Sequence, residues 1–136
     1  MSERFDVAVV GGGASGMMAA LRVKTLAPYL SVALLERQPR VGKKLLATGN
    51  GRCNLTNLYA EKARYHGSLA LLDEAFLRYP PVKVMEAFRG IGLHAVAEKD
   101  GRVYPSGDAS ACVLDALRLG LSDRGVQVFT DFEARR

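Results

Sequence analysis

Gly11, Gly13 and Gly16 follow the apolar run Val7, Ala8, Val9 and Val10 in the order G-x-G-x-x-G. The chemistry served by that pattern is the binding of a dinucleotide pyrophosphate. Gly11 lets the chain turn tightly, Gly13 lets the backbone approach the phosphates, and Gly16 lets the next helix lie close to the strand. A helix that starts here aims its free N–H groups and the positive end of its dipole at the ligand. Glu36 comes 20 residues after Gly16 and ends a second apolar run, Val32 to Leu35. Its carboxylate can accept hydrogen bonds from an adenosine ribose and repels a 2′-phosphate. Glycines also mark ordinary turns, but the strand before, the helix after and the acid at this distance select the dinucleotide reading over a plain βαβ turn.

The charge distribution points to the same place. The chain has 136 residues and a formal net charge of +5. Residues 37–57 hold five cations, Arg37, Arg40, Lys43, Lys44 and Arg52, and no carboxylate, so the whole excess lies in this stretch. A solvated basic loop or a weak nucleic-acid patch is the bland alternative. The loop lacks aromatic residues for stacking bases and leaves the second strand just past Glu36, which favours an anionic ligand shared with the glycine turn. No nucleic-acid partner is therefore expected. Within the loop, Gly49 and Gly51 bracket Asn50 and make a second place where backbone can approach a ligand closely.

The elements that must position these residues follow from periodicity. Val7 to Val10 reads as a strand covered on both faces of a parallel sheet. Ala14, Met17, Met18, Leu21 and Leu26 keep helical spacing up to Pro28, so the two methionines read as packing residues. Ser68 is placed to cap a helix ending near Arg78, and Pro80-Pro81 opens another ending near Arg89. Ala95 to Ala97 and Arg102 to Tyr104 flank Asp100-Gly101 as a hairpin. Asp108 is placed to cap a helix to about Ser122, and Val126 to Thr130 reads as a third sheet strand. The fold expected is α/β: a Rossmann-like parallel sheet with flanking helices, incomplete, with residues 58–105 as a helical and hairpin insertion. The chain is read as one domain over 1–136, the N-terminal portion of a larger one, with an uncovered sheet edge open to association.

Composition excludes other classes. An apolar fraction of 49% with 24% charged residues is globular. No apolar run is long enough to span a bilayer, and Glu3, Arg4 and Asp6 interrupt any signal-peptide core, so a cytoplasmic location with no membrane partner is expected. Cys53 and Cys112 form no metal-type or disulfide pattern, and no metal site is expected. His66 and His94 lack companion Asp, Cys or Ser at a telling spacing, so no catalytic acid or base is assigned. Arg52 could lower the pKa of its neighbour Cys53, but a small packing residue is the simpler reading.

Three strings, VAVVGGGASGMMAA, LLERQPRVGKKLLATGNGRCNLTN and GRVYPSGDASACVLDAL, together resemble the N-terminal part of a bacterial family of FAD-dependent NAD(P)/FAD oxidoreductases. That family includes aminoacetone oxidase-like enzymes and proteins linked to bile-acid reduction. The GKKLLATGNGRCNLTN string is far more specific than the glycine turn. The resemblance implies that Gly11, Gly13, Ala14, Ser15 and Gly16 hold the FAD pyrophosphate and Glu36 the adenosine ribose. It also implies that Lys44, Thr48, Gly49, Asn50, Gly51, Arg52, Cys53 and Asn54 line the rest of the FAD toward the flavin, with Arg37 nearby. The function expected is the FAD-binding portion of a flavin-dependent oxidoreductase, with NAD(P)H or a small-molecule substrate as a further partner. A truncated nucleotide-binding module without activity of its own, or an NAD-dependent dehydrogenase half, are the alternatives.

Overall fold

The computed structural model describes residues 4–135. In chain order the elements are β1 (Val7–Val10), α1 (Ala14–Leu26), β2 (Val32–Leu35), a kinked 3-10 turn (Leu45–Gly51), β3 (Thr56–Asn57), a short 3-10 turn (Lys62–Arg64), α2 (Leu72–Arg78), α3 (Pro81–Arg89), β4 (Ala95–Ala97), β5 (Arg102–Pro105), α4 (Ser110–Asp123) and β6 (Gln127–Phe129). Two three-stranded sheets result. One is parallel, in the order β1-β2-β6; the other is antiparallel, in the order β3-β5-β4.

The parallel sheet has the α/β Rossmann-like plan expected. Val9 lies opposite Leu34, which lies opposite Val128. The side chains of Val7, Val9, Val32 and Leu34 meet the core, where α1 contributes Met17, Ala20 and Leu21 and α4 contributes Val113, Leu114, Leu117 and Leu121. Met17, Leu34, Leu117 and Leu121 are almost wholly buried, and each such side chain contributes about 1.5–3 kcal/mol of transfer free energy. Helix α1 packs on this face and α4 packs in turn against α1, while the opposite side of β1 stays bare among the described residues: Ala8 is exposed and Val10 is 68% exposed. The expectation that β1 is covered on both faces is therefore corrected. In this sheet β2, flanked by a strand on each side, is buried through Val32, Ala33 and Leu34.

The second sheet contains the expected hairpin, with Gly101 at φ +81° in its turn. It also recruits Thr56–Asn57, which stand within the long basic loop. A two-residue strand has no period to detect, and pairing with Val103 and Arg102 creates it. Two expected caps are also corrected. Ser68 does not start α2, because a turn closed by Leu72 N–H donating to the Leu69 carbonyl comes first and Leu71 takes the cap position. Asp108 does not cap α4; Ala109 occupies that position, and the Asp108 carboxylate accepts from Arg52 instead. Pro81 opens α3 at its first turn, as its fixed φ favours.

Candidate functional site

A cleft of about 780 Å³ opens at the carboxyl ends of β1 and β2, lined by the glycine turn, Glu36, the start of the basic loop and the chain that follows β6. This is where open α/β sheets receive ligands, and the volume lies in the range of about 300–1,000 Å³ common for small-molecule sites.

The glycine turn is built from backbone hydrogen bonds. Gly11 N–H donates to the Leu35 carbonyl at 2.8 Å, and Gly11 has φ +102°, the left-handed region open to glycine. Gly12 N–H donates to Glu36 Oε2 at 2.7 Å, and Gln38 N–H donates to Glu36 Oε1 at 2.8 Å. Gly42 N–H returns to the Gly12 carbonyl at 2.8 Å. Glu36 thus staples the turn to the start of the basic loop, with lone pairs left for a ligand hydroxyl. A side chain at Gly12 would meet Val41 Cγ1 at 2.5 Å and Glu36 Cβ at 3.0 Å, so this glycine serves packing.

Three features of the turn suit an anion. Beyond Gly13 itself and its two chain neighbours, nothing lies within 4 Å of where a Gly13 Cβ would stand. The cap position at Gly13 has no side-chain hydrogen bond, and the first turn of α1 has no acidic residue. The N–H groups of Ala14, Ser15 and Gly16 therefore face outward with the helix dipole unneutralised. Arg37, Arg40, Lys43 and Lys44 add positive charge around the cleft.

Backbone donors hold the Glu36 carboxyl below the usual carboxylate range, the Gln38 N–H foremost, with the Gly12 N–H and the Arg37 charge adding to it against partial burial. A depressed folded-state pKa stabilises the fold above the unfolded value and that contribution is lost as pH falls through the folded value. Thermal stability is accordingly expected to fall on acidification below about pH 4.5, the ordinary glutamate value, and Glu36→Gln is expected to flatten that part of the profile. A melting series from pH 7 to pH 3 on both proteins checks this; identical profiles would remove Glu36 as the source.

The GNGRCN stretch lies farther along the loop. Gly49, Asn50, Gly51 and Cys53 all have positive φ, at 55°, 55°, 85° and 60°. Such backbone is costly for Asn50 and Cys53 and clusters at functional sites. Thr48 Oγ donates to the Leu45 carbonyl at 2.7 Å, and Asn54 Nδ2 donates to the Val103 carbonyl at 3.2 Å. Gly49, Asn50 and Gly51 are exposed, whereas Cys53 is buried in the core. Of the residues singled out from the sequence, Gly11, Gly13, Glu36, Arg37, Arg40, Lys43 and Lys44 line the cleft together, whereas Ala14, Ser15 and Gly16, in the first turn of α1, are not among its lining. Thr48, Gly49, Asn50, Gly51, Arg52, Cys53 and Asn54 are outside its lining, on the segment that leads from it to β3.

Sequence reasoning missed Gly12, Gln38, Phe132 and Glu133 in the cleft wall. Phe132 arrives because its N–H donates to the Glu36 carbonyl at 3.0 Å and its ring leans on Phe129 with centroids 6.1 Å apart. The available signal was its place just past a third parallel strand. Among the described residues no group of three or more His, Cys, Asp or Glu is arranged to hold a metal, and no helix is long and apolar enough to cross a membrane.

The family model for the HI0933-like protein Rossmann domain matches residues 5–136. The chain belongs to that family. It is 36% identical over 129 residues to the 3-dehydro-bile acid delta(4,6)-reductase of Clostridium scindens, covering 91% of this chain and 30% of that protein. It is 40% identical over 63 residues to the ribosomal RNA dihydrouridine synthase of Escherichia coli, covering 46% of this chain and 15% of that protein. The chain thus spans about a third or less of the curated relatives it matches. Solved structures share the fold, two of them as follows. Thermovibrio ammonificans THI4 superposes with a TM-score of 0.61 at 20% identity, over 93% of this chain and 38% of that one. The open conformation of a flavocytochrome c3 fumarate reductase gives 0.59 at 18% identity, over 96% and 27%.

Proposed function

We propose that this chain binds FAD and is the FAD-binding portion of a flavin-dependent oxidoreductase. The observation that carries the reading is the open cradle at Gly13, bounded by the unneutralised start of α1 on one side and by Glu36 at the end of β2 on the other. The N–H groups of Gly13, Ala14, Ser15 and Gly16 hold the pyrophosphate, and the free lone pairs of Glu36 accept the ribose hydroxyls. Lys43 and Lys44 offset phosphate charge from the loop. Phe132 and Val10 give the adenine an apolar wall. Bound FAD supplies two-electron transfer, and the protein supplies binding, orientation and electrostatics. The relative named as a reductase supports that class of chemistry, with NAD(P)H or an organic substrate as the other redox partner.

The absorbance spectrum of the purified protein, followed by release and mass identification of the cofactor, tests the reading. FAD is the expected product; released NAD would favour the dehydrogenase alternative, and a colourless protein that takes up neither would leave an inert module. The Lys43→Ala/Lys44→Ala double variant is expected to weaken FAD binding about tenfold at low salt. Its dissociation constant should also depend less on salt than that of the parent protein. Titration of flavin fluorescence at two ionic strengths checks both effects.

A further inference from the structure

The Arg52 side chain is engaged away from the cleft. Its Nη2 donates to Glu98 Oε1 at 2.7 Å and its Nε to Asp108 Oδ1 at 2.5 Å. Its guanidinium carbon lies 3.8 Å from the centroid of the buried Tyr104 ring. Glu98 stands in the turn between β4 and β5, Tyr104 in β5, and Asp108 just before α4. One planar group therefore ties the basic loop to three places that are distant in sequence. The segment it ties is the left-handed run at Gly49, Asn50, Gly51 and Cys53, and Asp108 is itself held at φ +49°. A second tether, Ser110 Oγ donating to the Leu46 carbonyl at 2.9 Å, fastens the same loop next to Ala47, which lines the cleft.

Resting on the FAD reading, we infer that Arg52 is a positioning residue and not a phosphate ligand: by pairing with Glu98 and Asp108 over Tyr104, it latches the strained loop to the second sheet and so fixes the cleft wall at Lys44 and Ala47. A cation that met the pyrophosphate would be left without counter-charge in the free protein, whereas Arg52 has two carboxylates already. A lysine cannot reproduce the latch, because a single ammonium lacks the planar fork that reaches both acids and lies flat on the ring.

The two roles give opposite results when the acids are neutralised. With Arg52→Gln, Glu98→Gln, Asp108→Asn and the Arg52→Gln/Glu98→Gln double variant, FAD affinity is read by fluorescence quenching. Amide hydrogen exchange of residues 45–54 is read in flavin-free protein. A latch predicts that each single variant binds FAD about 3- to 10-fold more weakly, and that the double variant is no weaker than Arg52→Gln alone. It also predicts faster exchange through residues 45–54 in every variant, and no rescue by Arg52→Lys. Unchanged or tighter FAD binding in Glu98→Gln and Asp108→Asn would make Arg52 a ligand released from its acids and overturn the inference, as would unchanged exchange. If parent protein binds no FAD, the proposed function fails while the exchange measurement still decides the latch. If Arg52→Gln does not fold, the two acid variants decide it.

Discussion

Gly13→Val is expected to abolish flavin binding, with affinity lowered at least about 100-fold, while the fold survives. The residue has φ −77° and ψ −178°, extended backbone that valine adopts readily. Beyond its two chain neighbours nothing lies within 4 Å of the new Cβ, so the added Cβ meets no obstacle from the rest of the fold. Gly13 holds the cap position of α1, where valine is less favourable than glycine, so a cost of about 1 kcal/mol is expected. The branched side chain fills the path by which a pyrophosphate reaches the α1 N–H groups, and a loss of 100-fold corresponds to about 2.8 kcal/mol. Glu36→Ala should bind less weakly than this, since it removes ribose acceptors and a staple but leaves the phosphate path open. Flavin content and melting temperature, measured on the same preparations, check the claim. A folded Gly13→Val protein with full flavin content would remove the glycine turn as the pyrophosphate site.

Gly16→Val is expected to fail differently, through the fold. A Cβ there would collide with the Gly11 carbonyl oxygen and stand 3.1 Å from the Gly11 carbonyl carbon. Both belong to backbone in the turn that Leu35 and Glu36 hold by hydrogen bonds, so neither can swing aside as a side-chain tip could. Helix α1 would have to lift from β1, and with it Met17, Ala20 and Leu21 would leave their buried positions. Overpacking of this kind costs about 1–3 kcal/mol or more, here toward the upper end because the obstacle is main chain. A melting temperature lower by about 10 °C is expected, accompanied by loss of flavin. Equal melting temperatures for Gly16→Val and the parent protein would show that α1 and the glycine turn have freedom the packing does not reveal. Two glycines of one motif, three positions apart, thus separate binding from stability.

The β1, α1 and β2 unit, the glycine turn and the carboxylate at its far end are legible in the order of residues, because these depend on contacts close along the chain or on periodicity. The strand runs 7–10 and 32–35 and the helix 14–26 are where the apolar spacing puts them. Long-range packing set the rest. Whether β1 is buried on both faces depends on what packs against it, and α1 covers the face of Val7 and Val9 with α4 packed behind α1. Thr56–Asn57 became a strand only by meeting β5. Asp108, which has the side chain of a helix cap, is held by Arg52 from 56 positions away. The same pairing removed Arg52 from the free charge of the basic loop, while Lys43 and Lys44 stayed exposed at the cleft. Local patterns record backbone preference and spacing. The partner of a charge and the cover of a sheet face are set by residues far along the chain, and only the folded packing brings them together.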